Sequence, residues 1–107
     1  MAINANTQSL SDKIIPIILQ YFDVPYDKLQ DKRGTNNEHT ARMYVCYILH
    51  KHSNISSMQL SYVMGRCDRN IKRSIAKIKF DISHYDECRD DYEQLIEKIK
   101  EQIPSFR

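Results

Sequence analysis

Apolar residues recur at spacings of three and four along most of the chain, which is the pattern of amphipathic helices. In the first such segment, which starts at Ser11, Ile14, Ile18 and Phe22 follow one another at four-residue intervals. This predicts a helix whose apolar face turns inward. Pro16 lies inside the segment, so we expect it either to kink the helix or to move its start later.

The next segments predict a short helix, a loop and a central helix. Pro25 can open the short helix, YDKLQ, because proline is favoured at the first helical position. The polar stretch DKRGTNNE that follows reads as a loop. From His39 or Thr40 to His52 the apolar stripe is broad, which predicts a helix that its neighbours contact from more than one side.

Two further helices are predicted close together in the middle of the chain. Ser56 and Gln59 have the spacing of a capping box, in which each side chain binds the other residue's backbone N–H. The helix that they open should end at Gly65, since glycine is the preferred residue just past a helix end. A second helix should then start almost at once, with Cys67 or Asp68 near its cap.

That second helix is narrow in its apolar face. Ile71, Ile75 and Ile78 form one stripe, and the cationic residues fall outside it. A last helix, from about Ser83 to Ile103, is indicated by a stripe of four apolar residues, Cys88, Tyr92, Leu95 and Ile99. The chain is therefore predicted to be all-α, a compact bundle of about six helices, with residues 1–10 as a flexible N-terminal segment and 11–107 as a single domain.

Composition agrees with a small helical domain. The chain has 107 residues and only 2 Gly and 3 Pro, which disfavours a fold rich in hairpins. It shows neither the pattern of a signal peptide nor an apolar run long enough to span a bilayer, so we expect a soluble cytoplasmic protein without membrane contact.

Cysteine and histidine positions point away from a metal site and from catalysis. Cys46, Cys67 and Cys88 are odd in number and widely spaced, which predicts free thiols rather than a disulfide framework or a zinc pair. His50 and His52 lie two apart and so point to different faces of a helix. Because no nucleophile–base grouping is visible, we expect a protein that is not an enzyme, with no catalytic residue, metal or cofactor.

Charge is distributed unevenly. The net charge is only +2, but residues 32–79 hold ten Lys or Arg and two acidic residues. The segments before and after carry net charges of −2 and −4. A basic centre between acidic ends predicts binding of a polyanion through the middle of the chain, although scattered surface charges are an open alternative.

Two short helices joined by a tight turn, the second one cationic outside a narrow apolar stripe, have the layout of a helix-turn-helix. The isoleucines would anchor the second helix, and its other side would enter the major groove of double-stranded DNA. We expect Arg69, Asn70 and Arg73 to face the bases, and Lys72 and Lys77 to meet phosphates. An ordinary amphipathic surface helix remains the alternative.

Several segments resemble the C-terminal DNA-binding domain (domain IV) of the bacterial replication initiator DnaA. They are IILQYFDVPYDKLQDKR, ARMYVCYILHK, LSYVMGRCDRNIKRSIAKI and DECRDDYEQLIEKI, and they extend from about Lys13 to Ile103. The family's signature there is Gly-Gly-Arg-Asp-His-Ser/Thr-Thr-Val, of which one glycine is missing in this chain. The resemblance implies an all-helical, Trp-repressor-like helix-turn-helix that binds double-stranded DNA in replication or transcription control.

The resemblance also implies roles for single residues. Arg66 matches the signature arginine, and Arg42 matches an arginine that meets the phosphate backbone in the family. Lys32 and Arg33 begin the family's basic loop, from which an arginine reaches the minor groove. With a shift of one place, Asp68 meets the family's base-reading aspartate. The neighbouring base-reading positions hold other residue types here, so we expect the target sequence to differ.

The chain contains no Gly-x-x-x-x-Gly-Lys-Ser/Thr phosphate loop, so it is not expected to hydrolyse ATP. It would be a detached binding module, of phage or mobile-element origin or adapted as a small regulator. The alternative is a protein-interaction module that keeps the fold and docks a replication protein through the acidic last helix or through Tyr85 and Tyr92. Since one helix-turn-helix covers a short DNA site, a homodimer or a partner would add specificity.

Overall fold

The computed structural model describes residues 5–30, 34–104 and 106, and no β-strand occurs among them. The all-α prediction is confirmed. The described residues form five α-helices rather than about six, since the segment after Pro25 forms only one 3₁₀ turn, Tyr26–Lys28. The α-helices, in chain order, are α1 (Ala5–Tyr21), α2 (Asn36–Ser53), α3 (Ser57–Met64), α4 (Asp68–His84) and α5 (Asp86–Gln102).

Helix α1 begins at Ala5, six residues before the predicted start at Ser11. The predicted boundary between a flexible segment (1–10) and a domain (11–107) therefore falls inside helix α1. Pro16 does not delay the helix, which runs through it. Its side chain is exposed, so the missing N–H lies on the solvent side, while Ile14 and Ile18 are fully buried on the opposite face.

Helix α2 occupies the centre of the fold and packs against α1, α3 and α4, as its broad stripe predicted. It starts three residues earlier than expected because Thr35 and Glu38 form a capping box. The Thr35 N–H donates to Glu38 Oε1 at 2.8 Å, and the Glu38 N–H donates to Thr35 Oγ1 at 3.2 Å. Six consecutive residues, Tyr44 to Leu49, are buried.

Helices α3 and α4 are joined by three residues. The predicted capping box of α3 is confirmed, with the Gln59 N–H donating to Ser56 Oγ at 3.1 Å. Gly65 ends α3 in the left-handed region, at φ 63° and ψ 35°, and the Arg66 N–H donates back to the Ser61 carbonyl. Glycine suits this position because a side chain there is strained.

The apolar stripe of α4 anchors it to the rest of the fold. Ile71 and Ile78 are 0% and 1% exposed, and Ile75 is half-buried against the same core. Through this face α4 contacts α2, α3 and α5. The opposite face is left to solvent, which is the division that the sequence pattern predicted.

Helix α5 packs on α1 and α4 and closes the bundle. Its buried residues are Leu95 and Ile99. Two tyrosines tie it to the earlier helices, since the Tyr44 hydroxyl donates to the Cys88 carbonyl at 2.8 Å and the Tyr21 hydroxyl lies 2.8 Å from an Asp91 carboxylate oxygen. The cationic centre of the chain is thus presented on a domain whose first and last helices are held together.

Candidate functional site

The outward face of α4 presents two arginines one helical turn apart. Arg69 and Arg73 are both exposed, and at 100° per residue they point about 160° away from the buried Ile71. Asn70 is also exposed and projects to one flank. The three residues expected to face bases are therefore accessible, and the acidic helix α5 does not cover them.

Beside this face lies a cleft of about 250 Å³ between α2, the α3–α4 turn and α4. We call it the arginine cleft. It brings together four of the residues predicted from the sequence, Arg42, Arg66, Asn70 and Arg73. The remaining lining residues were not predicted as site residues, and they are His39, Met43, Cys46, Met64 and Ser74.

Arg42 forms the inner wall of the cleft. Its side chain is only 4% exposed, and the guanidinium donates through Nη1 to the Lys28 carbonyl at 2.7 Å. Nη2 lies 2.9 Å from Nδ1 of His39. Arg42 therefore ties the 3₁₀ turn to α2, a structural task beyond the phosphate contact that the resemblance implies.

Asp68 connects the starts of α3 and α4. Its carboxylate accepts from Ser57 Oγ at 2.5 Å and lies 3.1 Å from the Lys72 ammonium. The hydrogen bond from Ser57 and the nearby Lys72 hold the pKa of the Asp68 carboxyl below its ordinary value. The carboxylate is thus engaged within the chain, where the resemblance implies a contact with a base.

Two lysines of α4 were also predicted to contact phosphates. Lys77 is exposed on α4 and lies 3.4 Å from the Asp81 carboxylate, one turn further along. Lys72 is equally accessible, with 68% of its side chain exposed. Lys32 and Arg33, the start of the predicted basic loop, lie outside the described residues.

The floor of the arginine cleft is apolar. Cys46 is 2% exposed, and burial raises the pKa of its thiol to about 12, with the positive charge of Arg66 acting in the opposite direction. Arg66 and Cys46 both line the cleft. Met43 and Met64 also line the cleft.

Exposed aromatic residues cluster around the junction of α4 and α5. Phe80 is 53% exposed and stacks on the His84 ring with centroids 3.9 Å apart, and Tyr85 is 56% exposed. Tyr92, suggested together with Tyr85 as a docking residue, is half-buried. Its hydroxyl lies 2.6 Å from His52 Nε2, and its ring stacks on the His52 ring of α2.

Comparison with protein-family models and with curated proteins finds no match for this chain. In the part of the chain that the structure describes, no group of three or more His, Cys, Asp or Glu side chains is placed to hold a metal ion. None of the helices described is long and apolar enough to cross a membrane.

Proposed function

We propose that the chain is a double-stranded DNA-binding module in which α3, the turn at Gly65 and α4 form a helix-turn-helix. The observation that carries this proposal is the two-sided character of α4. Ile71 and Ile78 are buried, while Arg69 and Arg73 project outward one turn apart. A helix held rigidly on one side and cationic on the other is what major-groove recognition requires.

The first turns of α4 carry groups suited to base edges. Arginine pairs bidentately with guanine, and asparagine pairs with adenine. Arg69 and Asn70 thus favour a site that contains both bases. The helix start would also offer backbone N–H groups to a phosphate, and Lys72 and Lys77 would meet phosphates on either side.

The DnaA resemblance supports the same proposal and suggests the biological setting. A domain similar to the DnaA C-terminal domain would act in replication or transcription control. The target should differ from the family's box because the base-reading positions hold other residues.

Salt dependence of duplex binding tests the proposal. The cations placed for phosphate or base contact number about five, Arg66, Arg69, Lys72, Arg73 and Lys77. Releasing about 0.9 counterion for each gives a log–log slope of about −4.5. Affinity for a mixed-sequence duplex, measured by fluorescence anisotropy, should then fall about 500-fold between about 50 and about 200 mM salt. A slope near zero would refute DNA binding.

A matched pair of variants separates recognition from general charge. Arg69→Gln and Lys98→Gln each remove one exposed cation, one from α4 and the other from α5. We expect Arg69→Gln to weaken a selected site by about 1–3 kcal/mol and to relax its base preference. Lys98→Gln should change the affinity little. Equal losses in the two variants would argue for non-specific attraction instead.

Protein interaction is a second candidate function, and the exposure of Tyr85 between α4 and α5 favours it. Beside it, α5 presents a row of exposed acidic residues, Asp86, Glu87, Asp90, Glu93, Glu97 and Glu101. A replication protein could dock there. Complete absence of duplex binding at low salt, together with capture of such a partner that Tyr85→Ala abolishes, would select this function.

A further inference from the structure

The arginine cleft gathers three guanidinium groups from three different elements. Arg42 comes from α2, Arg66 from the turn and Arg73 from α4. None of the described residues that line the cleft is acidic. Positive groups that converge in a recess attract anions more strongly than the same groups on a convex surface, because the protein wall excludes water.

Guanidinium groups favour phosphate in particular. The planar fork of an arginine matches two phosphate oxygens at once, and charge-assisted hydrogen bonds of this kind are the strong ones. Arg42 is held in place by Lys28 and His39, so its positive charge at the inner wall is already ordered before a ligand arrives. Ser74 and Asn70 add neutral hydrogen-bonding groups along the α4 side.

The floor of the cleft suits an apolar group. Met43, Cys46 and Met64 line it, and the half-buried Met43 supplies most of the accessible surface, since Cys46 and Met64 are 2% and 0% exposed. Methionine adapts its shape to a neighbouring ring or chain. A volume of about 250 Å³ corresponds to roughly eight water molecules' share of the liquid. The cleft is therefore larger than a bare phosphate needs.

We infer that the arginine cleft binds a small phosphomonoester whose phosphate meets Arg66 and Arg73 and whose compact apolar body rests on the methionine floor. A monoester carries up to two negative charges at neutral pH, whereas a DNA backbone phosphate carries one. Binding itself is independent of the proposed function. If the proposed function holds, the ligand competes with DNA, because both use Arg66, Asn70 and Arg73.

Phenyl phosphate is the direct probe, titrated into the protein without DNA and followed by calorimetry or by amide NMR shifts. We expect saturable binding with a Kd of about 1 mM or tighter, and shifts concentrated on the cleft residues. Phenol lacks the charge and inorganic phosphate lacks the ring, so each should bind at least about tenfold more weakly. Equal binding of phenol and phenyl phosphate, or no binding of either, would overturn the inference.

Two charge-matched variants test the site. Arg73→Gln removes a cleft guanidinium, whereas Lys79→Gln removes an exposed ammonium from the other flank of the same helix. Arg73→Gln should weaken phenyl phosphate at least about tenfold, with Lys79→Gln unchanged and both folded by circular dichroism. An equal loss in the two would mean diffuse charge attraction and would overturn the site. Arg73→Lys keeps the positive charge but loses the forked guanidinium. Its affinity for phenyl phosphate should therefore lie between that of Arg73→Gln and that of the unsubstituted chain.

A duplex added to the phenyl phosphate complex distinguishes the two sources of phosphate. Displacement of phenyl phosphate supports a cleft shared with the DNA backbone, whereas simultaneous binding of both would contradict the expected competition. Duplex binding without any phenyl phosphate binding would overturn the inference and leave the proposed function intact. Phenyl phosphate binding without duplex binding at low salt would support the inference and refute the proposed function.

Discussion

Truncation of Ile78 tests the anchoring of α4, on which the outward presentation of its arginines depends. The side chain is 1% exposed and belongs to the central core. Replacement by alanine removes three buried carbon atoms and leaves a cavity, which costs about 2–5 kcal/mol in comparable sites. We expect Ile78→Ala to lower the free energy of unfolding by about 3 kcal/mol. The variant stays folded if the total stability lies in the ordinary range of about 5–15 kcal/mol.

The half-buried Ile75 supplies the internal comparison. Ile75→Ala should cost only about 1 kcal/mol, because much of its side chain already meets water. Lys79→Ala on the exposed flank should stay within about 0.5 kcal/mol. For a chain of this length, 3 kcal/mol corresponds to a fall in Tm of about 13 °C.

Urea denaturation followed by circular dichroism measures these differences. The slope m should be the same for all variants, so that the change in midpoint reports stability alone. Hydrogen exchange should in addition show faster exchange of α4 amides in Ile78→Ala. A cost below about 1 kcal/mol for Ile78→Ala, or one equal to that of Ile75→Ala, would refute the view that the buried stripe fixes α4.

Three further predictions concern the turn, the start of α4 and alkaline pH. Gly65→Ala should lower the free energy of unfolding by about 1 kcal/mol in urea denaturation, because alanine is strained at φ 63°. Asp68→Asn should tighten duplex binding at all sequences in anisotropy titrations, since it releases Lys72 and removes a negative charge; weaker binding would instead indicate base reading by Asp68. Burial raises the pKa of the Cys46 thiol to about 12. Burial and the hydrogen bond to Asp91 raise the pKa of the Tyr21 hydroxyl to about 12. Between about pH 9 and about pH 12 the folded state therefore keeps protons that the unfolded chain releases. The free energy of unfolding should therefore fall as the pH rises from about 9 toward 12, less steeply in Cys46→Ala, and a pH-independent value over that range would contradict the shifts.

The helical architecture was readable from sequence where the signals are local. The Ser56–Gln59 capping box and Gly65 lie within a few residues of the helix ends that they set, and both predictions are confirmed. The same capping pattern is present at Thr35 and Glu38, and applying it there would have placed the start of α2 correctly. The early start of α1 at Ala5 has no comparable signal in the periodic pattern.

The arrangement of the site depends on contacts that sequence spacing does not reveal. Arg42 is buried because its guanidinium reaches the Lys28 carbonyl, 14 residues away, and Asp68 bonds Ser57 across the α3–α4 turn. Tyr92 is withdrawn from the surface by His52, 40 residues away in the chain. The arginine cleft likewise exists only once α2 and α4 pack together, so cations that look equivalent in sequence acquire different surroundings.

The two kinds of cation on α4 suggest a division of tasks in the proposed DNA complex. Lys72 and Lys77 each lie beside an aspartate one turn away, and about two-thirds of each lysine side chain is exposed. Exposed ion pairs are worth about 0–1 kcal/mol, so Lys72, whose partner Asp68 is 40% exposed, can exchange its carboxylate for a phosphate at little cost. Arg69 and Arg73 instead face outward with the forked geometry that base edges and phosphates match. It follows that lysine substitutions should weaken binding to all sequences alike, whereas arginine substitutions should also change the sequence preference.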